Sequence, residues 1–316
     1  MTKKRKFISY FKWKKKLLSR LNSKSSVIET KNGPVEYVMS GDEGPVLVVI
    51  HGAPGGFDQM TELFPDMENR GFRVLSWSRP GYLRTPLSVG KTIEEQSEVL
   101  AGLLDALNID KVALTGISAG GIYALAFALR FPDRIWAILL ESAVSHRYML
   151  NPDNIMEYLF MQVMFNDFWI WIYSIFTDIF PKMSVKILIY MESNLKRKQR
   201  HALVENIMKD PKRVDVVYRN IRSIAPVSCR KEGFENDLLQ LIDINRFPIE
   251  KISAPTLIVH GTNDADVLFH HPKYAAITIP NAELFLVIGG FHILSISDNA
   301  DQITEKKIEF LKKHII

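Results

Sequence analysis

The sequence predicts an α/β protein with a mostly parallel, doubly wound sheet and a helical insertion in the second half of the chain. Short apolar runs alternate with helical patterns up to about residue 145, which is typical of parallel strands joined by helices on both faces of a sheet. The alternation stops at His146, gives way to helical and apolar sequence up to about Glu250, and then resumes. A chain of 316 residues is long enough for one such domain with an insertion.

The first elements are predicted to be a β-hairpin followed by buried strands. SVIET and VEYVMS are β-type runs on either side of KNGP, in which Asn32 and Gly33 form a turn signal. PVLVVIHG is a continuous apolar run, as in a strand covered on both faces, and FRVLSWS is predicted as the next strand.

Helices and strands then alternate. From Thr92 to Ile109 the apolar residues have helical spacing, and Thr92 and Glu95 occupy the positions of a capping box. KVALTG is predicted as a strand, AGGIYALAFALRF as a helix that ends before Pro132, and IWAILLES as the next strand. After the insertion, the strands APTLIVHG and AELFLVIGG precede a C-terminal helix, NADQITEKKIEFLKKHI.

The positive charge of the chain is concentrated at its N-terminus. Residues 1–24 carry ten Lys or Arg and no acid, so the net charge of +5 leaves 30 basic against 35 acidic residues for the remainder. The apolar residues of this segment come in pairs broken by lysines, unlike the continuous apolar region of a secretory signal. A single cysteine, Cys229, cannot form a disulfide within its own chain, which fits the cytoplasm. No run of 18 apolar residues predicts a spanning helix.

The N-terminal segment also has an imperfect amphipathic pattern. Lys14 interrupts its apolar face, and basic residues fill much of the remainder. Four apolar residues recur at spacings near three or four or their multiples and form a stripe: Phe7, Phe11, Leu18 and Leu21. Three more lie close to that stripe: Tyr10, Trp13 and Leu17. Two interpretations remain open: a helix that lies on an anionic membrane, at the cytoplasmic face, or a disordered leader. Nucleic-acid binding is not expected, because no aromatic platform accompanies the charge.

Ser118 is the candidate nucleophile. It follows a predicted strand and opens a predicted helix, and in that context the G-x-S-x-G pattern is typical of a nucleophile elbow. Gly116 and Gly120 would keep side chains out of the crowded turn, and the helix N-terminus would offer a backbone N–H to an oxyanion. A purely structural tight turn is the alternative.

A serine hydroxyl needs a base, and histidine suits that role at neutral pH. Of eight histidines, His292 is favoured, because it follows the last predicted strand and so emerges at the same sheet edge as Ser118. His51 and His260 each precede a glycine at a strand end, where a buried structural role is expected. The remaining histidines lie in the insertion, in polar or charged segments or at the C-terminus: His146, His201, His270, His271 and His314.

Three carboxylates are candidates for the acid that orients the base. Asp264 follows the strand LIVHG, Asp266 lies two residues further on, and Glu141 ends the strand IWAILLE. Asp264 is favoured, because it places serine, acid and histidine in the chain order expected of this kind of fold. The pair Asn263-Asp264 would also suit a plain turn.

The glycine-rich turn in VVIHGAPGG is predicted to supply the second donor of an oxyanion hole. Pro54 has no N–H to donate, so the hole is assigned to the backbone N–H groups of Ala53 and Ala119. The sequence has no metal-ligand spacing and no phosphate-binding P-loop, so neither a metal nor an organic cofactor is expected.

These motifs resemble those of the α/β-hydrolase fold superfamily. HGAPGG is similar to its HGxPGG loop, WSRPGYLRT to its R-P-G-Y segment, GISAGG to its elbow, HGTNDADV to its acid loop and GGFH to its histidine loop. The resemblance covers the chain from about Val27 to its end, apart from the insertion. Leu268 stands where many relatives have proline, and Phe291 where many have glycine. Neither departure removes a catalytic group, and both are expected to reshape the pocket.

The resemblance implies a helical cap inserted after the sixth strand. It divides the chain into a basic tail at 1–25, a core at 26–145, a cap at 146–250 and the rest of the core at 251–316. The cap contains an apolar segment at 158–176, which Glu157 precedes and Gln162, Asn166 and Asp167 interrupt, so that it is not a membrane span. Most of the segment is expected to pack on the core, and the remainder to line an apolar pocket over Ser118 or to face lipid.

The predicted function is that of a serine hydrolase cleaving a carboxylic ester or similar carbonyl compound with an apolar acyl group. An acyltransferase would use the same triad. A peptidase similar to proline iminopeptidases is a further alternative, although such enzymes usually carry tryptophan where Ala119 stands. A ligand sensor without catalysis is the alternative of a different class. Ser118 excludes relatives that use an aspartate nucleophile.

Overall fold

The computed structural model describes residues 8–59, 67–149 and 165–315. Phe7 of the amphipathic pattern, Glu157 and Gln162 lie outside these described residues, as does the part of the apolar cap segment at 158–164.

The core is one eight-stranded sheet in the order β1-β2-β4-β3-β5-β6-β7-β8. Its first two strands form the expected antiparallel hairpin, β2 pairs antiparallel with β4, and every later pair is parallel. The predicted fold class is therefore confirmed. The strands are β1 (Ser26–Thr30), β2 (Gly33–Ser40), β3 (Val46–Ile50), β4 (Arg73–Trp77), β5 (Val112–Ile117), β6 (Ile135–Glu141), β7 (Thr256–Gly261) and β8 (Ala282–Val287).

Helices cover both faces of the sheet, and a group of them follows β6 and precedes β7 in the chain. The α-helices whose bounds fall within the described residues are α1 (Tyr10–Lys24), α2 (Ile93–Ala106), α3 (Gly120–Arg130), α4 (Asp167–Ile179), α5 (Pro181–Glu192), α6 (Arg197–Lys209), α7 (Pro211–Ser223), α8 (Lys231–Ile242), α9 (His270–Thr278) and α10 (Ala300–His314).

Strand β3 shows why its sequence is continuously apolar. Val48 and Ile50 belong to the cluster that contains α2 and α3, whereas Leu47 and Val49 belong to the cluster on the opposite face, with α10. Because successive side chains point to opposite faces, a strand covered on both sides needs apolar residues at every position. Full burial of each such side chain stabilises the fold by about 1.5–3 kcal/mol relative to exposure.

The predicted capping box at the start of α2 is present. The Thr92 hydroxyl oxygen accepts a hydrogen bond from the Glu95 N–H at 3.1 Å, and the Glu95 carboxylate accepts one from the Thr92 N–H at 2.9 Å. Because the first N–H groups of a helix have no partner within the helix, these two bonds fix where α2 begins.

Helices α5 to α7 have a small apolar core of their own, which includes Val185, Ile189 and Ile207. Phe291, from the loop before the candidate base, is fully buried in this cluster. The residue that stands where many relatives have glycine therefore ties the histidine loop to helices α5 to α7. Leu268, the other departure, is 39% exposed.

The described part of the N-terminal segment is helical. Residues from Tyr10 to Lys24 form α1, which packs on α4 through ring contacts and through an ion pair of 2.6 Å between Lys14 Nζ and Asp167 Oδ2. The predicted apolar stripe does not form one outer face, because Leu21 is buried whereas Phe11 is 80% exposed. In the described ranges, no helix has the length and apolar character needed to cross a bilayer.

Candidate functional site

Ser118 lies in a strained turn between β5 and α3. Its φ of +50° falls in the left-handed region, which residues other than glycine rarely adopt. Its N–H donates to the Glu141 carbonyl oxygen at 3.2 Å, and its own carbonyl accepts from the N–H groups of Gly121 at 3.0 Å and Val144 at 2.9 Å. Three backbone hydrogen bonds therefore hold the serine in this conformation.

The two glycines of the G-x-S-x-G pattern are required by close packing. A Cβ at Gly116 would lie 2.8 Å from the Gly121 Cα, and one at Gly120 would collide with the Ile50 carbonyl oxygen and lie 2.7 Å from that of His51. Such contacts would force α3 away from the sheet. The glycines therefore allow the helix to begin directly behind the serine.

The loop after β3, residues 51–56, lies against Ser118. A Cβ built on Gly52 would be 3.0 Å from the Ser118 Cβ, so the loop backbone passes beside the serine side chain. Among the described residues, the N–H groups of Ala53 and Ala119 have no hydrogen-bond partner. Both donors are available to an anionic oxygen.

His51 holds this loop in place. Its Nε2 accepts a hydrogen bond from the Arg79 N–H at 3.0 Å, so the proton lies on Nδ1, which donates to the Gly52 carbonyl at 2.7 Å. Complete burial, and then the nearby Arg79 charge, lower the pKa of His51, so the ring stays neutral. This is the buried structural role expected from its position at a strand end.

A buried ion pair joins the same loop to the region before α8. The Arg230 guanidinium makes two hydrogen bonds to the Asp58 carboxylate, at 2.9 and 3.0 Å, and a further one to the Gly55 carbonyl. Removing one member of a buried pair costs about 3–5 kcal/mol, because the other charge is left without its partner. Sequence reasoning missed this pair, which joins residues 172 positions apart.

The R-P-G-Y segment takes part in a second buried network. Arg79 donates to both carboxylate oxygens of Asp237 on α8, at 2.5 and 2.7 Å. The hydroxyls of Tyr82 and Tyr123 also donate to this carboxylate, at 2.6 and 2.7 Å. Burial and the Asp237 charge raise the pKa of both tyrosines, which keeps them protonated as donors. The segment therefore anchors α8 to the core.

The structure brings the expected base and the favoured acid together. His292 Nδ1 lies 3.0 and 3.1 Å from the two carboxylate oxygens of Asp264. Asp264 is buried, and its Oδ1 also accepts from the N–H groups of Asp266 and Val267 at 3.0 and 2.9 Å. Glu141, a rival for the acid, accepts instead from Lys307 Nζ at 2.6 Å.

Asp266, the other rival, lies on the opposite side of the imidazole. Its Oδ2 is 3.3 Å from His292 Nε2, and its Oδ1 accepts from the Tyr148 hydroxyl at 2.9 Å. No hydrogen bond joins Ser118 Oγ to His292 among the described residues. The ring nitrogen that a serine base would use therefore faces a carboxylate, an arrangement that sequence reasoning did not foresee.

The end of α5 and the residues that follow it cover the two loops that carry Asp264 and His292. The Glu192 carbonyl, at the end of α5, accepts from the His292 N–H at 3.3 Å, and Ser193 pairs with Asp264 in an isolated antiparallel bridge. The Asn194 N–H donates to the Asn263 carbonyl at 2.9 Å. The apolar pattern of α5 gave no signal of this contact.

Glu192 also adds a third carboxylate near the imidazole. Its carboxylate oxygen lies within 4.8 Å of the facing atoms of Asp266 and His292. Burial opposes the imidazolium, but Asp264, Asp266 and Glu192 outweigh it and raise the pKa of His292 to about 10. Burial and the two aspartates raise the pKa of Glu192 to about 7, although the imidazolium acts in the opposite direction. In this arrangement His292 carries a proton at neutral pH.

Away from His292, three side chains of the kind that bind metal ions lie close together, namely His146, His270 and His271. The rings of His146 and His271 are stacked, with centroids 4.2 Å apart, and His271 Nδ1 accepts from the Ser145 N–H at 3.3 Å. Stacked rings do not direct their lone pairs to one point, as a tetrahedral metal site requires. The expectation that no metal is needed stays a prediction.

The chain is similar to known proteins over most of its length. The family model for the α/β hydrolase fold matches residues 45–298. The uncharacterised hydrolase YcgS of Bacillus subtilis (strain 168) is 26% identical over 287 residues, covering 89% of this chain and 95% of that protein. A 2-hydroxy-6-oxononadienedioate/2-hydroxy-6-oxononatrienedioate hydrolase of Burkholderia vietnamiensis (strain G4 / LMG 22486) is 24% identical over 293 residues, covering 88% of this chain and 91% of that protein.

A solved structure shows the same fold. The α/β hydrolase fold protein from Nakamurella multipartita is 29% identical and has a TM-score of 0.77, with 91% of this chain and 99% of that chain covered. Because the family match extends from the third strand to the last loop before α10, this chain belongs to the α/β-hydrolase fold family and is an enzyme of the hydrolase class.

Proposed function

We propose that this hydrolase cleaves a carboxylic ester or a similar carbonyl compound, with Ser118 as the nucleophile, His292 as the base and Asp264 as the orienting acid. The observation that carries the proposal is the strained Ser118 beside two N–H donors, those of Ala53 and Ala119, that have no partner among the described residues. A strained serine next to unpaired donors suits attack on a carbonyl carbon.

The proposed reaction gives each of these groups one role. Ser118 Oγ attacks the carbonyl carbon while His292 Nε2 takes its proton, and the N–H groups of Ala53 and Ala119 stabilise the oxyanion. The imidazolium next protonates the leaving alcohol, which leaves an acyl group on Ser118. Water attacks this ester with His292 again as the base. Asp264 holds the Nδ1–H tautomer and stabilises the cation.

Two changes at His292 precede the attack. The imidazole must lose the proton that Asp264, Asp266 and Glu192 favour, and its Nε2 must exchange the Asp266 carboxylate for the Ser118 hydroxyl. The proposal therefore assigns Asp266 a restraining role, distinct from that of Asp264, although both carboxylates contact the same ring.

The name of the Burkholderia relative suggests a second candidate function, hydrolysis of a dicarboxylate such as the dienedioate in that name. The charges of this chain favour a neutral substrate instead, because Asp266 and Glu192 would repel an anion next to His292. The two arginines near the site loops, Arg79 and Arg230, are buried and already paired with Asp237 and Asp58. A neutral ester therefore fits better than a dianion.

The test combines covalent labelling and turnover. Ser118→Ala should lower hydrolysis of p-nitrophenyl esters by at least about a thousandfold, because triad members act as a unit, and should abolish labelling by a fluorophosphonate. Ser97→Ala is the matched control, because Ser97 is buried and its hydroxyl bonds only to the Ile93 carbonyl within α2.

Each outcome discriminates between candidates. Undiminished turnover by Ser118→Ala would remove this serine from the mechanism. Labelling of the wild type without turnover of any ester would instead favour the ligand sensor. Transfer of the acyl group to an added alcohol faster than to water would identify an acyltransferase.

A further inference from the structure

Helix α4 buries two polar side chains and exposes several of its apolar ones. Nine of its 13 residues are aromatic or aliphatic, yet the only two that are buried are Asp167 and Thr177. Phe168 is 47% exposed and Trp169 is 40% exposed. An amphipathic helix on a water-soluble surface shows the reverse arrangement, so the outer face of α4 is suited to an apolar environment.

The exposed residues of α4 form a continuous stripe. Phe168, Ile172 and Ile179 are four and seven residues apart, so they lie along one side of the helix. At the start of α4, the Phe168 ring contacts that of Tyr10, with centroids 5.9 Å apart, and Tyr10 in turn contacts the exposed Phe11. The stripe therefore continues onto α1.

The other end of the stripe leads into a groove. Ile179 lines it together with Met183 and Tyr190 of α5, and the groove continues to α6 with a volume of about 970 Å³. We use the name cap face for the surface that carries the exposed apolar residues Phe11, Phe168, Trp169, Ile172, Ile179 and Met183.

Basic side chains flank the cap face at both ends. On α1, Lys15 follows Phe11 by one turn and lies on the same side, and Lys16 is also exposed. At the groove, Lys186 and Arg197 are exposed. Lys182 also lines the groove and forms an ion pair with Glu205, with 2.6 Å between Nζ and Oε1. Cations around exposed aromatic and aliphatic residues are the chemistry that an anionic lipid surface recognises.

We propose that the cap face binds the surface of an anionic lipid bilayer, with its apolar side chains in the headgroup region and its lysines at the lipid phosphates. Helix α1 takes part as a docked element, fixed by the ion pair between Lys14 and Asp167, and not as a flexible tether. Because the α5 end of the cap also covers His292, this docking would bring the loops of the site close to membrane-dissolved esters.

Vesicle sedimentation tests the proposal in the Ser118→Ala background, so that its result does not depend on the proposed catalysis. The protein should pellet with vesicles of phosphatidylcholine and phosphatidylglycerol, remain in solution with phosphatidylcholine alone, and be released by high salt. Ile172→Glu and Phe11→Glu should each lower the partition coefficient at least about tenfold. Lys15→Ala and Lys16→Ala should each lower it about fivefold.

Ile277→Glu is the matched control, because Ile277 on α9 is 75% exposed and Phe11 is 80% exposed, but Ile277 lies outside the cap face. Circular dichroism of every variant would separate lost binding from lost folding. Equal vesicle binding by Ile172→Glu and Ile277→Glu would overturn the proposal. So would wild-type protein that does not pellet with anionic vesicles. Dimers in sedimentation velocity that Ile172→Glu dissociates, without vesicle binding, would show that the cap face joins two copies of the chain instead.

Discussion

The two sides of the candidate site are held in different ways. On the serine side, Ser118 is fixed by the core itself, through glycine contacts and backbone hydrogen bonds, although Arg230 also ties the neighbouring loop at 51–56 to the region before α8. On the histidine side, His292 and Asp264 are covered by the segment at the end of α5, which lies in the helical region between β6 and β7 of the chain. The proposed nucleophile therefore depends on the packing of the sheet, whereas the protonation of His292 depends on the position of the helices that follow β6 in the chain.

The largest expected effect concerns the acid on the histidine side. Asp264→Asn should lower kcat/KM for a p-nitrophenyl ester by about ten-thousandfold, because an amide cannot hold the Nδ1–H tautomer or stabilise the cation. Asp266→Asn should retain activity, because it only removes the negative charge that competes with Ser118 for Nε2. Glu141→Gln should have little effect on kcat/KM, since Glu141 pairs with Lys307.

Steady-state kinetics of the three variants, with their melting temperatures as the folding control, would decide the assignment. A severe loss in Asp266→Asn with normal activity in Asp264→Asn would reverse the two roles. It would also mean that the imidazole ring flips before Ser118 attacks the carbonyl carbon.

On the serine side, the expected effect is one of packing. Gly120→Ala should lower the free energy of unfolding by about 3 kcal/mol, because its Cβ would collide with the Ile50 carbonyl oxygen. Gly71→Ala is the control: its Cβ would meet nothing within 4 Å, and only the φ of +90° opposes it, at a cost of about 1 kcal/mol. Urea unfolding measures both, and equal costs would show that the elbow is not held by this contact.

This contrast also explains how much the sequence could predict. The individual strands, the elbow and the capping box at Thr92 depend on residues close together in the chain, so periodicity and glycine spacing indicate them. The pairing of His292 with Asp264 followed from the positions of two strand ends at one edge of the sheet. These features are the ones that the core fixes.

The contacts between the inserted helices and the core were not predictable from the sequence. Arg230 reaches Asp58 across 172 residues, and Glu192 reaches His292 from the end of a helix whose pattern only shows which face is apolar. The burial of Leu21 and the exposure of Phe11 on α1 depend in the same way on contacts with other elements, as the packing of α1 on α4 shows. Such contacts depend on how two elements meet, which local periodicity does not encode.

The dependence of the base on the cap can be tested through pH. His292 must be neutral to act, so kcat/KM should rise with pH through the pKa of His292, which the carboxylates raise. Glu192→Gln removes one of these charges, so the ascending limb should move to lower pH by about one unit. The other groups facing the ring, Asp264 and Asp266, remain in this variant.

The matched control is Glu205→Gln, which removes a glutamate from the cap at its outer surface, where it pairs with Lys182. An NMR titration of the His292 ring in Ser118→Ala would report the same shift without any turnover. Coincident profiles for wild type and Glu192→Gln would show that the cap does not set the protonation of the base.

The smallest expected effect concerns the acyl group. If the acyl chain is buried in the site, p-nitrophenyl butyrate should exceed the acetate in kcat/KM by up to about fifteenfold, because each buried methylene contributes about 0.8 kcal/mol. A p-nitrophenyl ester of similar length that ends in a carboxylate should react more slowly than the butyrate, because Asp266 and Glu192 repel it. Glu192→Gln should then accelerate the charged ester more than the neutral one. Equal acceleration of both esters would mean that Glu192 acts on the base alone and not on the substrate, and a falling rate with chain length would point to a small or polar acyl group.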